Sequence, residues 1–81
     1  MKIVVREFKL PIEFTPIYAN PVMKSKKHIF NWVITLIKED NIYSGRVLLK
    51  ESGHKKEFVN LGTEEIAAIN TLKNYCKENS K

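Results

Sequence analysis

Little in this sequence supports covalent or metal chemistry. One cysteine, Cys76, leaves no partner for a disulfide within the chain, and a small chain without disulfides is expected in the cytoplasm rather than outside the cell. His28 and His54 are the only histidines. No pair among these three residues has a zinc-type spacing, so neither metal nor cofactor is expected. The three glycines, Gly45, Gly53 and Gly62, are scattered, which excludes a glycine-rich phosphate loop. No serine stands in an arrangement with histidine and carboxylate that suggests a triad. No catalytic residue is assigned, and a non-enzymatic binding module is the expectation. Long apolar runs are missing too: nothing approaches the roughly 20 residues that span a bilayer. Met1-Lys2 is followed by only three apolar residues before Arg6-Glu7, which is not a signal peptide. No membrane role is expected.

What is present is one domain's worth of chain, 81 residues, with ordinary apolar content and high charge. The formal net charge is +5, and residues 24–56 alone hold the excess. A balance of this kind suits a polyanionic partner.

Residues 28–61 organise the chain. In His28–Ile37 the even positions Phe30, Trp32, Ile34 and Leu36 are all apolar, and the odd positions are mixed. Successive strand residues alternate between faces. A two-residue turn at Asp40-Asn41 sets Leu36 against Gly45, Ile34 against Val47, Trp32 against Leu49, Thr35 against Arg46 and Asn31 against Lys50. A one-residue slip would carry Arg46 onto the oily face. A second turn near Gly53-His54 sets Leu49 against Phe58, Lys50 against Glu57 and Glu51 against Lys56, agreeing in hydrophobicity and charge. Residues 28–61 are therefore read as a three-stranded antiparallel meander.

Around it, residues 1–10 read as an edge strand. Pro11, Pro16 and Pro21 exclude a helix or a central strand, yet Ile12, Phe14, Ile17, Tyr18, Val22 and Met23 are too apolar for a solvated linker. Residues 11–27 are expected to form a packed arm. It lies over the sheet or along its edge, or it projects and a second chain covers it in a strand- or arm-exchanged homodimer. At the other end Thr63 suits an N-cap and Glu64-Glu65 the first turn of a helix over 63–78. Ile66, Ile69, Leu72, Tyr75 and Cys76 supply its apolar stripe, with Ala67 and Ala68 allowing close approach. The fold class is α+β: a three- to four-stranded antiparallel sheet on one C-terminal helix, with Trp32 at its centre.

This register gathers Lys24, Lys26, Lys27 and His28, facing Gly53, at the same sheet end as His54, Lys55 and Lys56. Asn31, Thr35, Arg46 and Lys50 extend a polar face from there. The pattern points first to nucleic-acid phosphates. A Trp-containing strand, a meander, and Leu61-Gly62-Thr63-Glu64-Glu65-Ile66-Ala67-Ala68 opening a helix make residues 28–78 resemble AP2-like domains, including integrase arm-binding domains. The resemblance implies that the sheet face opposite the helix, here Asn31, Val33, Thr35, Arg46, Leu48 and Lys50, enters the DNA major groove. The chain has fewer arginines there than that family and carries an extra N-terminal strand. It also places Val33, Leu48 and Val59 in an apolar row across the face. That row supports the alternative partner, a protein, bound in the manner of an inhibitor or adaptor encoded by a phage or mobile element.

Overall fold

A computed structural model describes residues 1–14 and 28–80. Four antiparallel strands, β1 (Ile3–Phe14), β2 (His28–Glu39), β3 (Ile42–Leu49) and β4 (Lys55–Phe58), form one sheet in chain order, and helix α1 (Glu65–Glu78) packs on one side. This is the expected α+β meander, with the N-terminal strand as its fourth member.

The β2–β3 register is the expected one: Trp32 pairs with Leu49, Ile34 with Val47, Thr35 with Arg46 and Leu36 with Gly45. Asp40 and Asn41 turn the chain at φ of 50° and 66°. A type I′ turn needs positive φ at both positions, and short Asp and Asn side chains tolerate it.

The second turn departs from expectation. β4 is displaced by four residues, so Phe58 lies opposite Gly45 rather than Leu49, Glu57 opposite Arg46, and Lys55 opposite Leu48. The loop is Lys50–Gly53, closed by Gly53 N–H to Leu49 O at 2.8 Å and Leu49 N–H to His54 O at 2.8 Å. Gly53 supplies the φ of +73° that this wider loop requires. A shift of four leaves every side chain on its face, so alternation alone cannot detect it. The expected Lys50–Glu57 and Glu51–Lys56 pairs do not form across the strands.

The core is Trp32, Ile34, Leu36, Tyr43, Val47 and Leu49 from the sheet, with Ala68, Ile69, Leu72 and Cys76 from α1. Trp32 is fully buried. Gly45 seats the helix: a Cβ there would lie 2.7 Å from the Thr35 carbonyl oxygen and 2.8 Å from Leu72 Cδ1. The Trp32 indole N–H donates to Ser80 Oγ at 2.7 Å, and Ser80 Oγ–H donates to the Cys76 carbonyl at 2.6 Å. Phe8, Leu10 and Ile12 of β1 extend the core sideways.

Three local expectations are corrected. The helix starts at Glu65, with Glu64 at the N-cap position and no side-chain cap, so Thr63 does not cap it. Ile66 is 75% exposed, and half-buried Leu61 packs on the core instead. β1 runs through Pro11 to Phe14, four residues into the expected arm; an edge strand accepts proline on its free side. The rest of the expected arm, residues 15–27, lies outside the described residues.

Candidate binding face

The sheet side away from α1 is the candidate site, because no described element covers it. Strand pairing orders it into two rows. One runs Glu7, Thr35, Arg46, Glu57 across β1 to β4; the next runs Lys9, Val33, Leu48, Lys55. Between them lies a shallow cleft of about 340 Å³ lined by Glu7, Val33, Thr35, Arg46, Leu48 and Lys55. Val33 and Leu48 are half-buried, while Lys9, Arg46 and Lys55 are exposed. An apolar pair is thus flanked by a lysine at each end and bordered by a row of mixed charge.

Several residues expected to contact a ligand are engaged within the fold. Thr35 is only 2% exposed, and its hydroxyl donates to Glu7 Oε2 at 3.1 Å. The Glu51 carboxylate accepts from the Asn31 side chain at 2.6 Å and from the Asn31 backbone N–H at 3.1 and 3.2 Å. Desolvation raises the Glu51 pKa, but its own backbone N–H, the Asn31 donors and the charge of Lys50 outweigh that and hold it below the usual carboxylate value. Asn31 is therefore a loop anchor. The wide loop makes this bond available, since Glu51 is free of the cross-strand position expected for it.

His54 turns toward the helix side. Its ring lies nearly parallel to that of Tyr75, the two sharing a hydrogen bond of 2.8 Å between Nε2 and OH, and it meets Trp32 edge-on at 6.3 Å. Phe58 meets Tyr75 edge-on at 5.1 Å. Lys56 lies opposite Val47 on that same side, exposed at the sheet rim. Lys50 is exposed beside Asn31, to whose carbonyl its N–H donates at 3.0 Å.

His28 opens β2 opposite Phe14, not Gly53, because β3 ends at Leu49 and the chain turns away. Lys24, Lys26 and Lys27 lie outside the described residues. Val59 is corrected as well. The β4 shift removes it from the row with Val33 and Leu48, Lys55 takes that place, and Val59 sits 80% exposed beyond β4. It lines a separate depression with Ile42, Ser44 and Asn60. Lys9 of β1 also belongs to this face, opposite Val33; alternation within residues 1–10 does not single it out, because it fixes no partner register.

The charge distribution follows. All nine acidic residues and ten of the 14 basic ones lie among the described residues, a net charge of +1; Lys24, Lys26, Lys27 and Lys81 hold the remainder of the +5. Cys76 is buried, and desolvation pushes its thiol up to about 11, against a smaller opposing backbone hydrogen bond. Among the described residues no group of three or more His, Cys, Asp or Glu side chains could hold a metal ion, and no helix is long and apolar enough to cross a membrane. No family model matches the chain, and no curated protein or solved structure is significantly similar to it.

Proposed function

We propose that this chain is a small non-enzymatic binding module whose open sheet face docks a protein partner. The composition of that face carries the reading. Val33 and Leu48 lie side by side between Lys9 and Lys55, next to the row Glu7, Thr35, Arg46 and Glu57. An apolar centre rimmed by charges of both signs suits a protein contact. A duplex-binding surface calls for a predominance of positive charge, and the described fold is close to neutral. The same features suit an inhibitor or adaptor of the kind phages and mobile elements encode.

A nucleic-acid reading is favoured by a different observation, the lysines of Lys24-Ser25-Lys26-Lys27, which hold most of the excess charge. On this reading they contact phosphates. Arg46, Lys50 and Lys55 then extend the footprint across the face that AP2-like domains turn to DNA.

Two variants separate the readings. Leu48→Glu places a charge in the apolar centre; joint replacement of Lys24, Lys26 and Lys27 by alanine removes the basic segment. Capture of a defined protein from nuclease-treated lysate should be lost with the first and kept with the second. Fluorescence anisotropy with duplex DNA, single strands and RNA supplies the counter-test. Binding that falls with salt at a log–log slope of about −0.9 per duplex phosphate, is lost in the lysine variant and survives Leu48→Glu would replace the protein reading with the nucleic-acid one.

A further inference from the structure

β1 is an edge strand: all of its 12 residues but Val5 pair with β2 on one side, and no described element pairs with the other. The direction of its free backbone groups can be worked out. Pro11 lies opposite Asn31, whose N–H and C=O point away from β1, to the Glu51 carboxylate and the Lys50 N–H. Antiparallel pairs alternate between hydrogen-bonded and non-bonded. The backbone groups of Glu7, Lys9 and Pro11 therefore face the free edge, and those of Arg6, Phe8 and Leu10 face β2. Two features interrupt this edge: the irregularity between Val4 and Arg6, which leaves Val5 without a partner, and Pro11, which has no N–H to offer. Between them Arg6–Leu10 is regular, and Phe8 is its midpoint.

A second copy related by a twofold axis normal to the sheet pairs antiparallel with β1, joining residues that share a face. Charge selects the register. Centring on Arg6, Glu7 or Lys9 opposes a charge with itself, and centring on Leu10 opposes Glu7 with Glu13. A twofold axis along the strand would set N–H against N–H and C=O against C=O along the edge, so it forms no parallel ladder. Centring on Phe8 sets Glu7 opposite Lys9 of the second copy, twice, and these are residues whose backbone donors and acceptors point outward from β2. It sets Arg6 opposite Leu10, and each Val5 irregularity opposite a Pro11, so that the interruptions coincide.

We propose that two copies of this chain associate edge to edge through β1 in this register. Two four-stranded sheets become one, with both helices on one side and both open faces on the other. The inference is independent of what the open face binds.

Sedimentation equilibrium on the full chain, from micromolar to about millimolar concentration, tests it. The unaltered chain should show a monomer–dimer equilibrium. Lys9→Glu opposes two carboxylates at both pairs and should raise the dissociation constant about tenfold or more; Lys9→Ala, which only removes the attraction, should raise it less. Joining Glu7→Lys to Lys9→Glu restores both pairs and should restore association. Circular dichroism and Trp32 fluorescence confirm that each variant is folded. A monomer at every concentration, a dimer indifferent to Lys9→Glu, or no recovery in the double variant would each overturn the proposal.

Discussion

Gly45→Ala tests the seat of the helix on the sheet, because two known effects oppose each other there. Adding a methyl restricts the unfolded chain, which by itself stabilises by about 0.4–1 kcal/mol where the native backbone allows it. The new Cβ, however, would stand 2.7 Å from the Thr35 carbonyl oxygen and 2.8 Å from Leu72 Cδ1. Leu72 is fully buried and Thr35 belongs to the neighbouring strand, so neither yields freely. Overpacking of this kind costs about 1–3 kcal/mol. The second effect wins, and the variant should be destabilised by about 1–2 kcal/mol. In a domain this small that is a drop in Tm of about 5–10 °C. Urea and thermal unfolding followed by Trp32 fluorescence give both quantities. Gly53→Ala is the control: it meets nothing within 4 Å, but its φ of +73° strains any residue with a Cβ. Pairing Gly45→Ala with Leu72→Ala, which vacates part of the contact, should show non-additive losses. A Gly45→Ala protein as stable as the parent, or more so, would mean that α1 does not sit over Gly45.

Three further outcomes follow from the same core and loop. Ser80→Ala leaves the buried Trp32 indole N–H without its acceptor and should cost about 1–3 kcal/mol in urea unfolding. The Cys76 thiol, pushed up to about 11 and enclosed, should resist a disulfide reagent at neutral pH in the folded protein and react once urea opens the core. The Glu51 pKa is depressed in the fold, so its stabilising contribution is present above the ordinary carboxylate pKa and is lost as pH falls through the lower folded value. Glu51→Gln should therefore flatten the acid limb of a stability–pH profile while leaving the alkaline side unchanged.

The parts of this fold legible in the sequence are those where one slip reverses burial. Moving β3 by one residue would bury Arg46, so the β2–β3 register and Trp32's burial could be read directly. The position of β4 could not. A displacement of four keeps Phe58 on the oily face, and the choice was settled by a loop that requires Gly53 at positive φ and frees Glu51 to reach Asn31. Every misplacement of Val59, of His28's partner and of the charge pairs descends from that one displacement. The expected burial of Ile66 fails for a rotational reason: α1 meets the sheet along Ala68, Ile69, Leu72 and Cys76, and Ile66 falls off that line. The candidate face was half legible. Arg46, Val33 and Leu48 share it as expected, and Lys55 stands where Val59 was expected, but composition could not reveal that Thr35 and Asn31 engage their polar groups with Glu7 and Glu51.

The Trp32–Ser80 hydrogen bond joins residues 48 positions apart in the chain, and this orders the events of synthesis. The β2–β3 hairpin closes through two residues and can form as soon as both strands leave the ribosome. Trp32, Ile34 and Leu36 then wait without cover until Leu72, Cys76 and Ser80 emerge. Over that interval the nascent chain presents an oily sheet face, the period when aggregation and chaperone capture compete with folding.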